Sequence, residues 1–157
     1  MFKIVSGGQT GADRGGLDWA ISRGVPHGGW CPRGRKAEDG RIPDQYLLTE
    51  SGNGSYGKRT ELNVRDSDGT VIFTGGIKLR GGSLLTAKLA QNNGRPWVCL
   101  RVNDGCEAVG RALRLFVVEN SVGVLNVAGN RESRCPGIQR FVRQCLDEAF
   151  PLGHSTL

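Results

Sequence analysis

The sequence predicts an α/β fold: a three-layer sandwich with a mostly parallel sheet of about five strands. Short apolar, β-branched runs alternate along the chain with segments of helical spacing, and glycine-rich turns follow three of the runs. With 157 residues, 38% of them hydrophobic, the chain is long enough to bury the core of one ordinary domain. We therefore expect a single ligand-binding domain over residues 1–157.

Five apolar runs predict strands at residues 3–6, 25–30, 69–74, 96–102 and 122–127. The second run is the weakest. Helices are predicted at residues 13–23, 83–93 and 107–119, and Pro136 is expected to open a last helix at a position that tolerates proline. Strands and helices that alternate in this way are typical of a Rossmann-like sandwich with both faces of the sheet covered.

Helical spacing also predicts which side chains are buried. The first helix is expected to bury Leu17, Ala20 and Ile21 and to end at Gly24. The helix at 107–119 is expected to bury Ala108, Ala112, Leu115 and Phe116. The last helix carries the longest stripe, formed by Ile138, Phe141, Val142, Cys145, Leu146 and Ala149.

Residues 31–68 are polar and glycine-rich, and only residues 55–65 have a helical pattern. A connection of this length in a compact domain is usually functional or mobile, and we favour the functional interpretation. Within it, Arg59 and Asn63 are four residues apart and share a helix face. They could close over a ligand, or belong to a solvated helix with a salt bridge.

The composition indicates an anionic ligand. The net charge is +6 and arginine, whose planar fork suits phosphate and carboxylate groups, outnumbers lysine. A merely basic surface is the alternative. No apolar stretch is long enough to cross a membrane, and the first residues do not resemble a signal peptide, so we expect a cytoplasmic protein without a membrane partner.

The five cysteines are odd in number and form no C-x-x-C pair, which argues against a disulfide framework and a structural zinc site. Cys99 and Cys145 lie in apolar patterns and are expected in the core. Cys31 and Cys135 each precede a proline, and a metal or redox role for this pair stays open. No protein-coordinated metal is predicted.

Glycine-rich turns supply the candidate site. The first turn contains Gly7, Gly8, Gln9, Thr10 and Gly11 and leads into a helix, whose N–H groups and positive dipole end attract a phosphate. Asp13 either caps that helix or contacts the ligand. The turn is neither G-x-G-x-x-G nor a Walker loop, which disfavours a conventional dehydrogenase or nucleoside triphosphatase.

Two further loops repeat this pattern. Gly81, Gly82, Ser83 and Thr86 lie at the start of the helix at 83–93, where Ser83 could equally be a helix cap. Gly129, Arg131 and Glu132 follow the last strand. Because ligands bind beyond the carboxyl ends of strands in open α/β sheets, the three loops together predict one anion site.

These motifs resemble the family of putative molybdenum carrier proteins. The matching stretches are S-G-G-Q-T-G-A-D at 6–13, G-W-C-P-R-G at 29–34, K-A-E-D-G at 36–40, R-T-E-L-N-V at 59–64, D-S-D-G at 66–69, G-G-S-L-L-T at 81–86 and L-N-V-A-G-N-R-E-S at 125–133. This family is related to the lysine-decarboxylase-like or LOG proteins, the DNA-processing protein DprA and the molybdenum cofactor carrier. The resemblance extends from Ser6 to about Phe150.

The resemblance implies a Rossmann-like fold that binds a nucleotide-like or pterin phosphate. It places Gly7, Gly8, Thr10 and Gly11, with Gly82, Ser83 and Thr86, around the ligand phosphate. LOG-type enzymes that cleave nucleotide monophosphates carry P-G-G-x-G-T-x-x-E here, whereas this chain has L-R-G-G-S-L-L-T-A at 79–87 and lacks the glutamate. This departure argues against hydrolase activity.

Three functions follow as hypotheses. The first is a binding or carrier protein for a phosphorylated small molecule, with molybdenum cofactor (molybdopterin) or a nucleotide as ligand. The second is a hydrolase of N-glycosidic or phosphoester bonds, with Glu61, Asp66, Asp68 and Glu132 as candidate acid–base groups. The third, DprA-like binding of single-stranded nucleic acid, is disfavoured because only 6% of the residues are aromatic. Related folds commonly pair through helices, so we expect a homo-oligomer.

Overall fold

The protein, described as a computed structural model over residues 1–52 and 56–153, contains, besides one short 3-10 helix (Val102–Asp104), five α-helices and nine strands within those residues. In chain order these are β1 (Lys3–Val5), α1 (Ala12–Arg23), β2 (His27–Gly28), β3 (Trp30–Cys31), β4 (Lys36–Ala37), β5 (Gly40–Arg41), β6 (Thr49–Glu50), α2 (Tyr56–Arg65), β7 (Gly69–Thr74), α3 (Gly81–Asn92), β8 (Trp97–Arg101), α4 (Cys106–Glu119), β9 (Val124–Gly129) and α5 (Ile138–Ala149).

Five of the strands form a parallel sheet in the order β2-β1-β9-β7-β8. Strand β9, the last in sequence, therefore lies in the middle, between β1 and β7. If β9 and α5 were placed first in the chain, the same sheet would have the order 3-2-1-4-5 of doubly wound α/β folds. The predicted Rossmann-like α/β class is thus confirmed, in a permuted connectivity.

Helices cover both faces of this sheet. Helix α5 packs between α1 and α4 on one face, and α2 packs against α3 on the other, as right-handed crossovers require. The predicted stripe of α5 is confirmed for Ile138, Val142, Cys145, Leu146 and Ala149, which are fully buried, while its sixth member, Phe141, is partly buried and packs against the same core. They meet central-sheet residues such as Leu125 and Val127 in the main hydrophobic core.

The predicted buried face of α4 is wrong in part. Val109, Gly110, Leu113, Phe116 and Val117 are buried, whereas Ala108, Ala112 and Leu115 are exposed. Both faces of α4 carry apolar residues, so helical spacing alone could not select between them. The predicted burial of Ile21 in α1 is also wrong, because Ile21 is exposed, whereas Leu17 and Ala20 are buried as predicted.

The predicted second strand is also wrong in extent. Only β2 joins the central sheet, because the chain turns at Gly29, where φ is +125°. A Cβ at this position would lie 2.2 Å from the Ser6 carbonyl oxygen. After this turn, β3 pairs with β6 in a separate two-stranded sheet.

The last helix begins later than predicted. Gly137, with φ +90°, precedes the first helical residue Ile138, so Pro136 lies outside α5 rather than at its first position. Helix α3, in contrast, begins two residues before the predicted start at Ser83. Strand β9 runs two residues later than predicted, to Gly129.

The segment before α2 is more ordered than its composition indicated. Two small sheets, β3 with β6 and β4 with β5, give it shape. The buried guanidinium of Arg35 holds it together by donating to the carbonyls of Ile42, Pro43, Tyr46 and, at 3.4 Å, Leu48. The predicted helix is α2; Ser55, its expected first residue, lies outside the described residues.

No helix in residues 1–52 and 56–153 combines the length and the apolar composition needed to cross a bilayer.

Residues near the two ends of the described chain lie together. The rings of Phe2 and Phe150 have centroids 5.0 Å apart, and Trp19 packs on the same Phe150 ring. A short linker could therefore join the two ends without crossing the core.

We predict that a circular permutant folds. Joining residues 153 and 2 by a glycine–serine linker and opening the chain at the exposed turn around Ser121 should preserve cooperative unfolding. The free energy of unfolding should change by no more than about 2 kcal/mol, because the cut lies between the exposed residues Asn120 and Ser121. Circular dichroism and urea titration measure both properties, and a permutant without a cooperative transition would contradict the topology.

Candidate functional site

A cavity of about 710 Å³ opens at the carboxyl ends of β1, β9 and β7. Its walls come from the loop after β1, the loop between β7 and α3, the loop after β9, and one face of α2. In the permuted order this is the point where the sheet changes direction, between β9 and β7. Ligands of open α/β sheets bind at that point.

Most of the residues predicted for the site surround this cavity. They are Gly7, Gln9, Asp13, Arg59, Asn63, Gly81, Gly82, Ser83, Thr86, Gly129 and Arg131. The three glycine-rich loops are therefore brought to one edge, as the sequence predicted. Whether each residue contacts a ligand stays a prediction.

Four other predicted residues do not line the cavity. Gly8 packs beneath Leu48 and Ile42, and Gly11 lies against the backbone of residues 130–132. Thr10 directs its hydroxyl to Glu38 and accepts the Glu132 N–H. Glu132 in turn accepts the N–H groups of Gly137 and, at 3.1 Å, Gln139, so it satisfies backbone donors at the start of α5.

Arg59 enters the cavity because Gly7 has no side chain. Its Nη1 donates to the Gly7 carbonyl at 3.2 Å and lies 3.9 Å from Asp13 Oδ2. A Cβ on residue 7 would lie only 2.4 Å from that nitrogen. The loop after β1 and helix α2 thus jointly hold a buried cation at the cavity wall.

Asp13 is the only carboxylate among the described residues that line the cavity. It lies in the first turn of α1, and its Oδ2 accepts the Gln9 N–H at 3.1 Å, so it ties down the turn without being the residue that caps the helix. Burial raises the pKa of Asp13 to about 6, although Arg59, the Gln9 N–H, Arg14 and Ser6 favour its charged form. A carboxyl group whose pKa is shifted this far by burial is typical of functional sites.

The start of α3 forms the opposite wall. No atom of residues 1–52 and 56–153 lies within 4 Å of a Cβ placed on Gly81 or Gly82, so a ligand can approach the backbone there. Ser83 is the third helical residue and makes no side-chain cap, while the Thr86 hydroxyl donates to the Gly82 carbonyl at 2.8 Å. The alternative that Ser83 caps this helix is therefore wrong.

Asn63 has a structural task besides its place on the wall. Its amide accepts the Trp30 N–H at 2.8 Å and donates to the Trp30 carbonyl at 2.9 Å. This exchange joins α2 to β3. Arg59 and Asn63 thus share a buried face of α2 that forms part of the wall, rather than a solvated face.

Sequence reasoning missed three cations and a carboxylate. Lys78, Arg80 and Arg134 line the cavity. Lys78 and Arg80 lie between two glycine pairs, and that bracketing could have identified them.

The carboxylate, Glu38, sits in the turn between β4 and β5 and holds two site loops together. It accepts the hydroxyls of Thr10 and Ser133 and the Ser133 N–H, and lies 3.8 Å from Arg131. These hydrogen bonds lower the pKa of Glu38, the Ser133 hydroxyl having the largest effect. Glu38 lies in the stretch K-A-E-D-G at 36–40 that carries the resemblance, but no role was predicted for it, because its partner Ser133 is 95 positions away.

The candidate hydrolytic carboxylates are not assembled into one site. Glu61 pairs with Lys58, Asp66 with Arg65 and the Trp30 ring nitrogen, and Asp68 accepts the N–H groups of Gly123 and Val124. Glu132 is occupied at α5. Among the described residues, none of the four lines the cavity.

The cysteines form no metal centre. No group of three or more His, Cys, Asp or Glu side chains in the described part of the chain could hold a metal ion. Cys31 and Cys145 are buried, and Cys145 belongs to the core as predicted. Cys99 is only partly buried and is not part of the main core, so its predicted place there is wrong. Cys135 packs against Gly75, whereas Cys31 lies in β3.

The sheet, its two helical layers and the cavity at the switch point define an α/β protein of the Rossmann-like class. The chain belongs to the circularly permutated YpsA SLOG family, which it matches over residues 4–150. The strand order explains this description, since moving β9 to the front restores the doubly wound order. No curated protein matches the chain.

One solved structure is closely similar. It is a crystal structure of a "putative molybdenum carrier protein" from Syntrophus aciditrophicus SB, with 42% sequence identity and a TM-score of 0.91. The similarity covers 96% of this chain and 95% of that one. The resemblance seen in the motifs is therefore confirmed at the level of the family and the fold.

Replacing Gly7 by alanine should displace Arg59 and destabilise the fold modestly. The new methyl group would overlap Nη1, the end of a flexible side chain, so the guanidinium should move away and lose its hydrogen bond to the Gly7 carbonyl, a loss of about 1 kcal/mol. Urea denaturation measures the loss. Gly52→Ala is the control, because no other described residue lies within 4 Å of its Cβ. Equal stability of the two variants would contradict the close approach.

Asp13→Asn should stabilise the protein at neutral and alkaline pH. The folded state binds the Asp13 proton more tightly than the unfolded state, so the native protein gains stability from this group as the pH falls through 6 towards 4. The amide is always neutral, so the variant should exceed the native protein by up to about 3 kcal/mol at pH 8 and by little at pH 4.

Thermal or urea unfolding at several pH values measures this difference. Asp44→Asn is the control, because Arg41 lowers the pKa of the exposed Asp44 and its neutralisation should not stabilise the fold at pH 8. An Asp13→Asn variant that is equally destabilised at both pH values would contradict the burial of a costly charge.

Proposed function

We propose that the chain is a binding or carrier protein that holds a phosphorylated nucleotide or pterin in the cavity, with molybdenum cofactor as the named candidate for its cargo. The observation that carries this proposal is the charge of the cavity. Among the described residues, five cationic side chains line it, namely Arg59, Lys78, Arg80, Arg131 and Arg134, against the single carboxylate of Asp13. Such a wall favours an anion.

The backbone supports the same ligand. The start of α3 has an open approach at Gly81 and Gly82, and its helix dipole and N–H groups attract negative charge. Arg80 and Lys78 precede this helix directly. A phosphate placed here would receive backbone donors and charged side-chain donors at once.

The name of the similar crystal structure supports a molybdenum-related cargo. The residues present fit the phosphate and ring of a pterin cofactor, since the cavity is cationic and roomy. They offer no cluster of metal ligands within the described residues. A pterin cofactor carries its own dithiolene sulfurs for molybdenum, so the protein would hold the organic part and shield it.

A carrier is favoured over a hydrolase by the acid groups. The LOG-type glutamate is missing from the stretch at 79–87, and Glu61, Asp66, Asp68 and Glu132 are engaged elsewhere. Binding of nucleic acid is disfavoured by the small aromatic content. We further expect a cytoplasmic homo-oligomer. Native mass spectrometry of the protein purified from its own host would test the oligomeric state and would identify any retained cargo.

Loss of cavity cations should weaken binding. We expect the double variant Lys78→Met/Arg80→Gln to bind neopterin monophosphate at least tenfold more weakly in isothermal titration, because a hydrogen bond to a charged group contributes about 1.5–3 kcal/mol. Binding should also weaken with added salt.

The matched control is Arg111→Gln on α4, which removes an exposed arginine that pairs with Glu107 outside the cavity. This variant should bind as the native protein does. The proposal fails if neither neopterin monophosphate nor guanosine, inosine or adenosine monophosphate binds saturably to the native protein. It also fails if Arg111→Gln weakens binding as much as the double variant.

A further inference from the structure

The charges of the cavity are unevenly distributed along the sheet edge. At the β1 end, Asp13 and Arg59 lie 3.9 Å apart and largely offset each other. At the β7 end, Lys78 and Arg80 face the open start of α3, and no carboxylate among the described lining residues balances them. The two ends therefore favour different parts of one ligand.

The sheet fixes the distance between these ends. Strand β9 separates β1 from β7, and neighbouring strands lie about 4.8 Å apart, so the two ends are separated by roughly 10 Å. A heterocycle joined to a phosphate by a sugar or a short side chain can bridge this span. The phosphate then belongs at the cationic β7 end and the ring at the β1 end.

Asp13 restricts which ring can lie there. A carboxylate accepts hydrogen bonds and donates none, so it attracts an edge with N–H donors and repels one with a ring nitrogen acceptor. Its Oδ2 is anchored by the Gln9 N–H, and the side chain is only 12% exposed, which fixes its direction and limits competition from water. A buried acceptor left without a donor costs binding energy.

We propose that Asp13 selects the ligand by accepting hydrogen bonds from a ring N–H and its neighbouring amino group, the edge that guanine and pterin share and adenine lacks. This inference rests on the proposed function and narrows it. Adenine presents an acceptor nitrogen beside its amino group. Hypoxanthine keeps the ring N–H but lacks the amino group, so it offers one of the two donors.

Isothermal titration with four monophosphates tests this selection. Guanosine and neopterin monophosphates should bind the native protein at least tenfold more tightly than adenosine monophosphate, with inosine monophosphate between them. The relative affinities of guanosine and neopterin monophosphates also show whether a nucleotide or a pterin supplies this edge. Equal affinity for all four ligands would overturn the assignment while leaving the proposed function intact.

Asp13→Asn provides the second arm. It should reduce the preference for guanosine over adenosine monophosphate to about threefold or less, chiefly by weakening the guanine ligand, because the amide offers one donor where the carboxylate accepts. Asp44→Asn removes an exposed carboxylate outside the cavity and should keep the full preference. An equal loss of affinity for both nucleotides would overturn the assignment.

Two further outcomes concern the proposed function and the role assigned to Asp13. If no monophosphate binds the native protein, the proposed function fails and this inference with it. If Asp13→Asn does not fold, the order of the four ligands on the native protein decides alone.

Discussion

The central position of strand β9 determines where everything else in the site can lie. Because the last strand enters between β1 and β7, three loops that are far apart in sequence leave the sheet side by side. The insertion requires a close approach at Gly129, where a Cβ would lie 2.1 Å from the Phe73 carbonyl oxygen and φ is +150°. The cavity opens directly beyond this point.

Long-range polar contacts then hold the loops in place. Glu38 joins the loop after β1 to the loop after β9. Asp39, the next residue, accepts two hydrogen bonds from Arg14, whose Nε also donates to the Gly8 carbonyl. Residues 31–50 thus hold the loops after β1 and β9 in position. Their polar composition reflects this task, since carboxylates in a turn can receive donors from two loops at once.

The sequence predicted the parts of the fold that depend on local pattern. Strand β7, helix α1 and the buried stripe of α5 agree with their apolar spacing, and the glycine turns marked the ligand edge. Local pattern could not identify the buried face of α4, which has apolar residues on two faces. It also could not predict that the strand at 25–30 ends at Gly29, which depends on contact with Ser6. Nor could it place Glu38, whose partners lie at distant positions.

The site was predictable as a set of loops but not as a distribution of charge. Lys78, Arg80 and Arg134 contribute to the cavity only because β7 and β9 are neighbours. Glu132 lies in the motif at 125–133, yet its carboxylate accepts backbone N–H groups at the start of α5. Motif position identifies the loop, whereas the direction of each side chain depends on the packing of the whole edge.

The central claim, that an anion binds at the edge between β9 and β7, can be tested by nuclear magnetic resonance. Backbone amide signals of the native protein are followed while guanosine monophosphate is added. Saturable shifts are expected at Gly7, Gly81, Gly82 and Gly129, with the amides of α4 unchanged. Shifts centred on α4, or saturation without any change at these four glycines, would contradict anion binding at this edge.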